Sequence, residues 1–398
     1  MKNMQASTFP LADSMRRLGT ESAFVVLARA KALEAQGRSI IHLEIGEPDF
    51  DTPEHIKQAA IESLRANRTH YTPAAGIAEL RSAIAKYVQQ TRGVSVLPDQ
   101  VVVAPGAKPI IAAVLMALLN PDDEVIIPDP AYPAYRSIVT YVGARPVSLP
   151  LLESRDFRFE IDALEAAITP KTKILVLNSP HNPTGGILTA EDISAIAAIV
   201  RKHDLLVISD EIYSRHAYDR AFASYYGLAA MPERTVLIDG CSKAWAMTGW
   251  RLGFGVMPLS IAEAATALIL NTVSCTATFV QDAAIAALTG PDEPVQEMHD
   301  EFLRRRRLLV DGLNAIPGVT CRMPGGAFYV FPNVSAIEPD DLKLADYLLN
   351  EAGVATLGGS TFGPHGKGFL RLSYANSEEN LHEALRRMRA ALATYKRS

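Results

Sequence analysis

Short apolar runs rich in valine and isoleucine alternate, through the middle of the chain, with longer stretches of helical length. The runs are VVVAP at 101–105, EVIIPD at 124–129, KILVLNSP at 173–180, LLVISDE at 205–211 and TVLIDG at 235–240. Between them lie segments such as PIIAAVLMALL and AEDISAIAAIVRKH. Strands that are apolar almost throughout are buried on both faces, and helices between consecutive strands make the connections parallel. The pattern predicts an α/β fold with a mostly parallel sheet and flanking helices.

Near residue 295 the pattern changes. A helical span at 295–316 leads to GAFYVFPNV at 326–334, then to the helical segment DDLKLADYLLNEAG, then to GFLRLSYA at 368–375, and a last helix begins near Ser377. This mix predicts a smaller α+β domain at 296–398, a large domain at 46–295, and an N-terminal arm at 1–45 that packs beside the small domain.

Charge and composition narrow the function. A net charge of -5 over 398 residues gives no reason to expect nucleic acid or an anionic membrane as partner. The one basic run, Arg304 to Arg307, turns through more than one helical turn, so it reads as a solvated helix face whose stems cover apolar surface. Cys241, Cys275 and Cys321 are far apart and odd in number, which indicates neither a zinc site nor a disulfide framework and fits a reducing cytoplasm. The first residues lack the apolar core of a signal peptide, and the longest apolar stretch, Ile110 to Leu119, is too short to span a bilayer. No GxGxxG, Walker A, HExxH or GxSxG motif is present, which argues against dinucleotide enzymes, P-loop NTPases, zincins and α/β-hydrolases.

In open α/β sheets ligands gather beyond the carboxyl ends of the strands, and here each strand ends in polar residues. After the first strand come Gly106, Ala107 and Lys108, whose backbone amides open a helix. They read as an anion cradle or as an ordinary strand-to-helix turn. After the second, Tyr132 stands on a loop fixed by two prolines, either to stack on a flat ring or to pack the loop down. Asn182 lies in the dense turn NSPHNPTGG, where it donates to a ligand or caps the turn. His181 reads as a turn residue. Asp210 follows a buried strand and needs a cation, from a ligand's protonated nitrogen or from the protein, with Tyr213 three residues on. Lys243 directly follows an apolar strand, where desolvation favours the neutral amine that Schiff-base chemistry needs. Arg251 carries a fork suited to phosphate. Arg371, inside an apolar strand, wants a carboxylate from the protein or from a substrate. Cys241 reads as structural.

Together these segments resemble the class I aminotransferases, the aspartate-aminotransferase-like branch of fold type I pyridoxal-phosphate (PLP) enzymes. GEPDFDTP, YTPAAG, GAK, DPAYPAY, NSPHNPTG, DEIY, SKAWAMTGWRLGF, GGAFYVF and LRLSYA occur in the family's order across nearly the whole chain. The resemblance implies that the large domain binds PLP. Lys243 would hold the cofactor and move the proton, and Asp210 would keep its ring nitrogen protonated. Asn182 and Tyr213 would bond its phenolic oxygen, and Tyr132 would stack on it. Arg251 and the amides of Ala107 and Lys108, with Gly106, would bind its phosphate. Tyr71 would reach the phosphate of a neighbouring subunit, which implies a homodimer with shared active sites. Arg371 would clamp the substrate α-carboxylate with Gly46 nearby, and Lys108 is compatible with reading an acidic side chain.

The implied activity is ping-pong transfer of an amino group between an L-amino acid and a 2-oxo acid. Glutamate and 2-oxoglutarate form one expected pair, and aspartate or alanine fits the other. A C–S β-lyase of the same fold is the alternative. An aminotransferase-like regulator would need a DNA-binding module for which the residues before GEPDFDTP carry no convincing pattern. The chain departs from many relatives at Gly240, where they have a phosphate-binding serine. Ser242 is the candidate substitute.

Overall fold

The computed structural model describes residues 9–19 and 21–397. Its centre is a seven-stranded sheet of β1 (Val101–Ala104), β2 (Glu124–Asp129), β3 (Arg145–Pro150), β4 (Thr172–Asn178), β5 (Leu206–Asp210), β6 (Thr235–Gly240) and β7 (Gly253–Val256). The order across the sheet is β1-β7-β6-β5-β4-β2-β3. All pairings are parallel except those of β7, which is antiparallel to both β1 and β6. Side chains of β1, β2 and β6 are buried throughout, as continuous apolar runs between two helical layers require.

Two strands were not legible from hydrophobic runs. RPVSLP (β3) holds two prolines, and it is tolerated because it lies at the sheet edge. GFGV (β7) has two glycines and looks like a loop by propensity. Its glycines are needed for close packing: a Cβ on Gly253 would lie 2.2 Å from the Ala107 nitrogen.

Helices cover both faces. Ala190–Lys202 starts with a capping box in which Thr189 accepts from the Asp192 amide and Asp192 accepts from the Thr189 amide. The helix Glu293–Asn314 runs unbroken across residue 295. Beyond it, Leu357–Gly358, Leu370–Ser373 and Tyr329–Val330 form a small antiparallel sheet. The 326–334 run is therefore a strand only at Tyr329–Val330, because Pro332 cannot donate to a ladder. Ile41–His42 pairs in parallel with Val354–Ala355, and Ile41 and Leu43 share a core with Phe302, Phe328, Leu372 and Leu381.

The arginine run corrects the expectation of a solvated face. Arg305 and Arg306 are buried. Arg305 donates to Asp49 and Glu301, while Arg306 grips Asp219 and the Pro324 carbonyl. Only Arg304 and Arg307 are exposed. Consecutive helical residues point in different directions, so one half of the run meets water and the other the protein. No described helix is long and apolar enough to cross a membrane.

Candidate active site

The parallel register aligns the carboxyl ends of the strands. Asn178 at the end of β4 stands opposite Asp210 at the end of β5, and Gly240 at the end of β6 stands opposite Gly253. At this edge lies a cavity of about 490 Å³, roofed by Arg371 from the small domain and by Glu21, Ala23 and Phe24 from the N-terminal segment. Every residue given a cofactor- or substrate-binding role from the sequence lines it except Gly106 and Tyr71.

Asp210 is buried and has no cationic partner among the described residues. It accepts from the Tyr135 hydroxyl at 2.6 Å and from the Ile212 amide at 3.2 Å. Burial raises its pKa to about 6, against the lowering effect of those two bonds. The structural salt bridge that could have explained a carboxylate here is absent. Such a bridge exists one residue away: Arg92 reaches Asp239 at 2.6 Å and Glu211 at 3.2 Å, all buried. Tyr135 had no separate signal in the sequence: it stands in the first turn of the helix Pro133–Tyr141, for which Tyr132 is the N-cap.

Lys243 sits in the short helix Cys241–Ala244 that follows β6. Its Nζ donates to the Gly46 carbonyl at 2.6 Å and lies 5.9 and 5.8 Å from the ring centres of Tyr213 and Phe328. Desolvation lowers its pKa to about 8, opposed by the charges of Glu47 and Asp210 and helped by Arg371 and Arg251. His216, with its pKa lowered by burial to about 3, places a ring nitrogen 3.3 Å from the Lys243 carbonyl.

Arg371 is buried and meets no protein carboxylate among the described residues. It donates to the Glu44 carbonyl and approaches Asn182 Oδ1 at 3.4 Å, while its Nε has no partner. Its guanidinium lies over Tyr329 and Phe362, 4.6 and 5.1 Å from their centres. Tyr329 also shares a 2.8 Å hydrogen bond with Tyr213. Its hydroxyl would lie 2.0 Å from a Cβ at residue 46, so Gly46 must be glycine for this ring to fit. Tyr329 was visible only as part of an apolar run, with no signal for a site role.

Opposite, the helix Ala107–Leu118 begins at the cavity with Gly106 as its N-cap. Gly106 has φ 99°, and a Cβ there would lie 2.4 Å from Arg251 Nη2, so both the turn and the guanidinium require glycine. Arg251 itself stands in the left-handed region (φ 54°), a conformation that costs side-chain-bearing residues about 1 kcal/mol or more. Its Nη1 donates to the Thr248 carbonyl at 2.7 Å. The close strand packing also accounts for Gly240. A Cβ there would meet Gly253 Cα at 2.9 Å and the Leu252 carbonyl at 3.0 Å, leaving no room for serine. Ser242 lines the cavity.

Lys108 is half-exposed and pairs with Glu21, which also accepts from the Tyr132 hydroxyl at 2.9 Å. Glu21 had no sequence signal. Asn182 donates its backbone amide to Asn178 Oδ1 at 2.9 Å, and His181 bonds Thr184 within the same turn. Tyr71 is 90% exposed and outside the cavity. Cys241 is buried and unpaired, its thiol pushed up by desolvation.

This arrangement combines a lysine whose neutral form is favoured, a buried carboxylate in no ion pair among the described residues, a helix N-terminus beside one arginine, and a second arginine with no carboxylate partner among the described residues. It suits a ligand that brings its own anions and its own cation. Known proteins of similar sequence and structure are consistent with that. Residues 38–388 match the model of the family "Aminotransferase class I and II". The chain is 41% identical to aromatic-amino-acid aminotransferase 2 of Thermococcus litoralis, over 90% of this chain and 93% of that one. Among solved structures, the aspartate aminotransferase of Rhizobium meliloti superposes with a TM-score of 0.93 at 38% identity, covering 97% of this chain and 99% of that one. The alanine aminotransferase of Pyrococcus furiosus gives 0.92 at 32% identity, covering 97% and 100%. Sequence, fold and cavity therefore converge on one assignment: the chain is an enzyme of the class I and II aminotransferase family.

Proposed function

We propose that this aminotransferase works with PLP in the cavity and moves an amino group between an L-amino acid and a 2-oxo acid by a ping-pong mechanism. Glutamate and 2-oxoglutarate serve as one pair, and aspartate or alanine serves on the other side. The observation that carries the reading is Asp210, a buried carboxylate with no cationic partner among the described residues, in the same cavity as Lys243.

The residues fit each part of the cofactor. The amides of Ala107 and Lys108, the close approach at Gly106, Arg251 and Ser242 suit a phosphate. Asp210 suits a protonated ring nitrogen, and Tyr213 and Asn182 suit a phenolic oxygen. Tyr132 suits a ring face. When bound, PLP supplies an electron sink for negative charge developing at the substrate Cα.

The chain's own residues do the rest. Arg371, whose Nε lacks a partner, binds the α-carboxylate and so orients the Cα–H bond. Lys243, with its pKa lowered to about 8, is neutral often enough near neutrality to take that proton and return it. The Gly46 carbonyl holds the amine in place. Tyr135 and the Ile212 amide keep Asp210 fixed in its charged form. Fractions of the substrate scaffold not held by Arg371 face Glu21, Phe24 and Ile45.

The proposal extends to a homodimer in which Tyr71, exposed here, reaches the neighbouring subunit's phosphate site. It also includes a division into domains at residues 46 and 295 and a cytoplasmic setting. The named relatives are aminotransferases, so nothing favours the C–S lyase.

A half-reaction panel tests the reading. PLP-loaded enzyme is mixed with single amino acids, and loss of the yellow absorbance is followed. Borohydride treatment before mixing should fix the cofactor on Lys243. Labelling of another lysine, or no absorbance change with any amino acid, overturns the proposal.

A further inference from the structure

We propose that Glu21 is a specificity-determining residue: an internal carboxylate that occupies Lys108 and so competes with the distal carboxylate of an acidic substrate. The inference rests on the amino-acid-binding reading above and goes beyond it. Four cations face the cavity, namely Lys108, Lys243, Arg251 and Arg371. Only Lys108 is held by a protein carboxylate among the described residues. Arg371 and Arg251 are left open to ligand anions, whereas Lys108 is already neutralised.

Glu21 is not a chance surface contact. The same carboxylate oxygen takes the Tyr132 hydroxyl at 2.9 Å, and the Lys108 amine lies 5.7 Å from the centre of the Tyr132 ring. Glu21 is the residue just before the helix Ser22–Glu34, whose first turn places Ala23 and Phe24 on the cavity beside it. A second carboxylate entering here meets a carboxylate, and it must displace Glu21 from Lys108 to find a cation. An uncharged side chain meets Phe24, Ala23 and Ile45 and disturbs nothing. Glutamate, 2-oxoglutarate and aspartate, the acidic substrates proposed above, therefore bind by opening the Glu21–Lys108 pair, whereas apolar or aromatic side chains enter without that cost. Dicarboxylates bind at the expense of an ion pair.

Binding of unreactive carboxylates to the PLP-loaded enzyme tests this by calorimetry. Maleate stands for a dicarboxylate and 3-phenylpropionate for a monocarboxylate with an aromatic side chain. Glu21→Gln should raise maleate affinity relative to 3-phenylpropionate by about tenfold, through release of Lys108 from a half-exposed ion pair. The gain should vanish in the Glu21→Gln/Lys108→Met double variant. An unchanged or reversed ratio in Glu21→Gln overturns the inference. So does a gain that persists without Lys108, or failure of both ligands to bind. Because these ligands do not react, the result is independent of turnover. Failure of the transfer reading would instead appear as an unchanged absorbance with every amino acid.

Discussion

Replacing Asp210 by Asn separates the cost of this carboxylate from its use. Its pKa rises from the ordinary 3.8 to about 6, chiefly by desolvation, which corresponds to about 3 kcal/mol against the ionised form at neutral pH. The direction follows from proton binding. The folded cofactor-free protein holds this proton more tightly than the unfolded chain, so the contribution is neutral in acid and becomes destabilising as pH rises from about 4 to 6. Asn keeps an acceptor for the Tyr135 hydroxyl but turns an amide toward the Ile212 N–H, which returns about 1–2 kcal/mol of the gain.

Cofactor-free Asp210→Asn should thus be about 1–2 kcal/mol more stable than the parent at pH 7. The advantage should fade toward pH 4. Urea unfolding at the two pH values measures it. With PLP present the order should invert, because a buried charge pair broken on one side typically costs about 2–5 kcal/mol, and kcat/KM should fall by a factor of about 100 or more. A variant that is equally destabilised at both pH values would show that Asp210 is structurally satisfied, and the argument for a missing cation would fail.

Three further outcomes follow from the site. In cofactor-free protein, Lys243 should capture an aldehyde with a rate that rises to half its maximum near pH 8, because burial disfavours its charged form; a midpoint above pH 10, read by trapping with borohydride and peptide mapping, contradicts its desolvated setting. Arg371→Gln should lower kcat/KM for every amino acid by roughly 30-fold or more, the scale of losing one buried charged contact, and a loss confined to one side-chain class in steady-state assays would remove it from the α-carboxylate. Arg92→Met leaves Asp239 and Glu211 buried without their cation, so thermal unfolding should show a loss of about 3–5 kcal/mol; a change within the noise would mean that water reaches the pair.

The sequence alone determined the parallel part of the sheet and most of the site. Continuous apolar runs such as TVLIDG can only be strands buried on both faces, and the residues that follow such strands face the ligand edge. Lys243, Asp210 and the Gly106 turn were legible for that reason: their place at the carboxyl edge of the sheet follows from local chain order. What tertiary structure decided was partnership. Nothing in the sequence shows that Arg92 neutralises Glu211 and Asp239 while Asp210 is left without a cation, because those partners lie more than a hundred residues apart along the chain or on another strand. Pairing also divided the arginine run into a buried half and an exposed half, and close strand contact made β7 from GFGV and excluded a serine at Gly240. Tyr135, Tyr329 and Glu21 entered the site in the same way. Each is a common residue in an unremarkable context, and its meaning depends on which atoms the fold brings within hydrogen-bond reach.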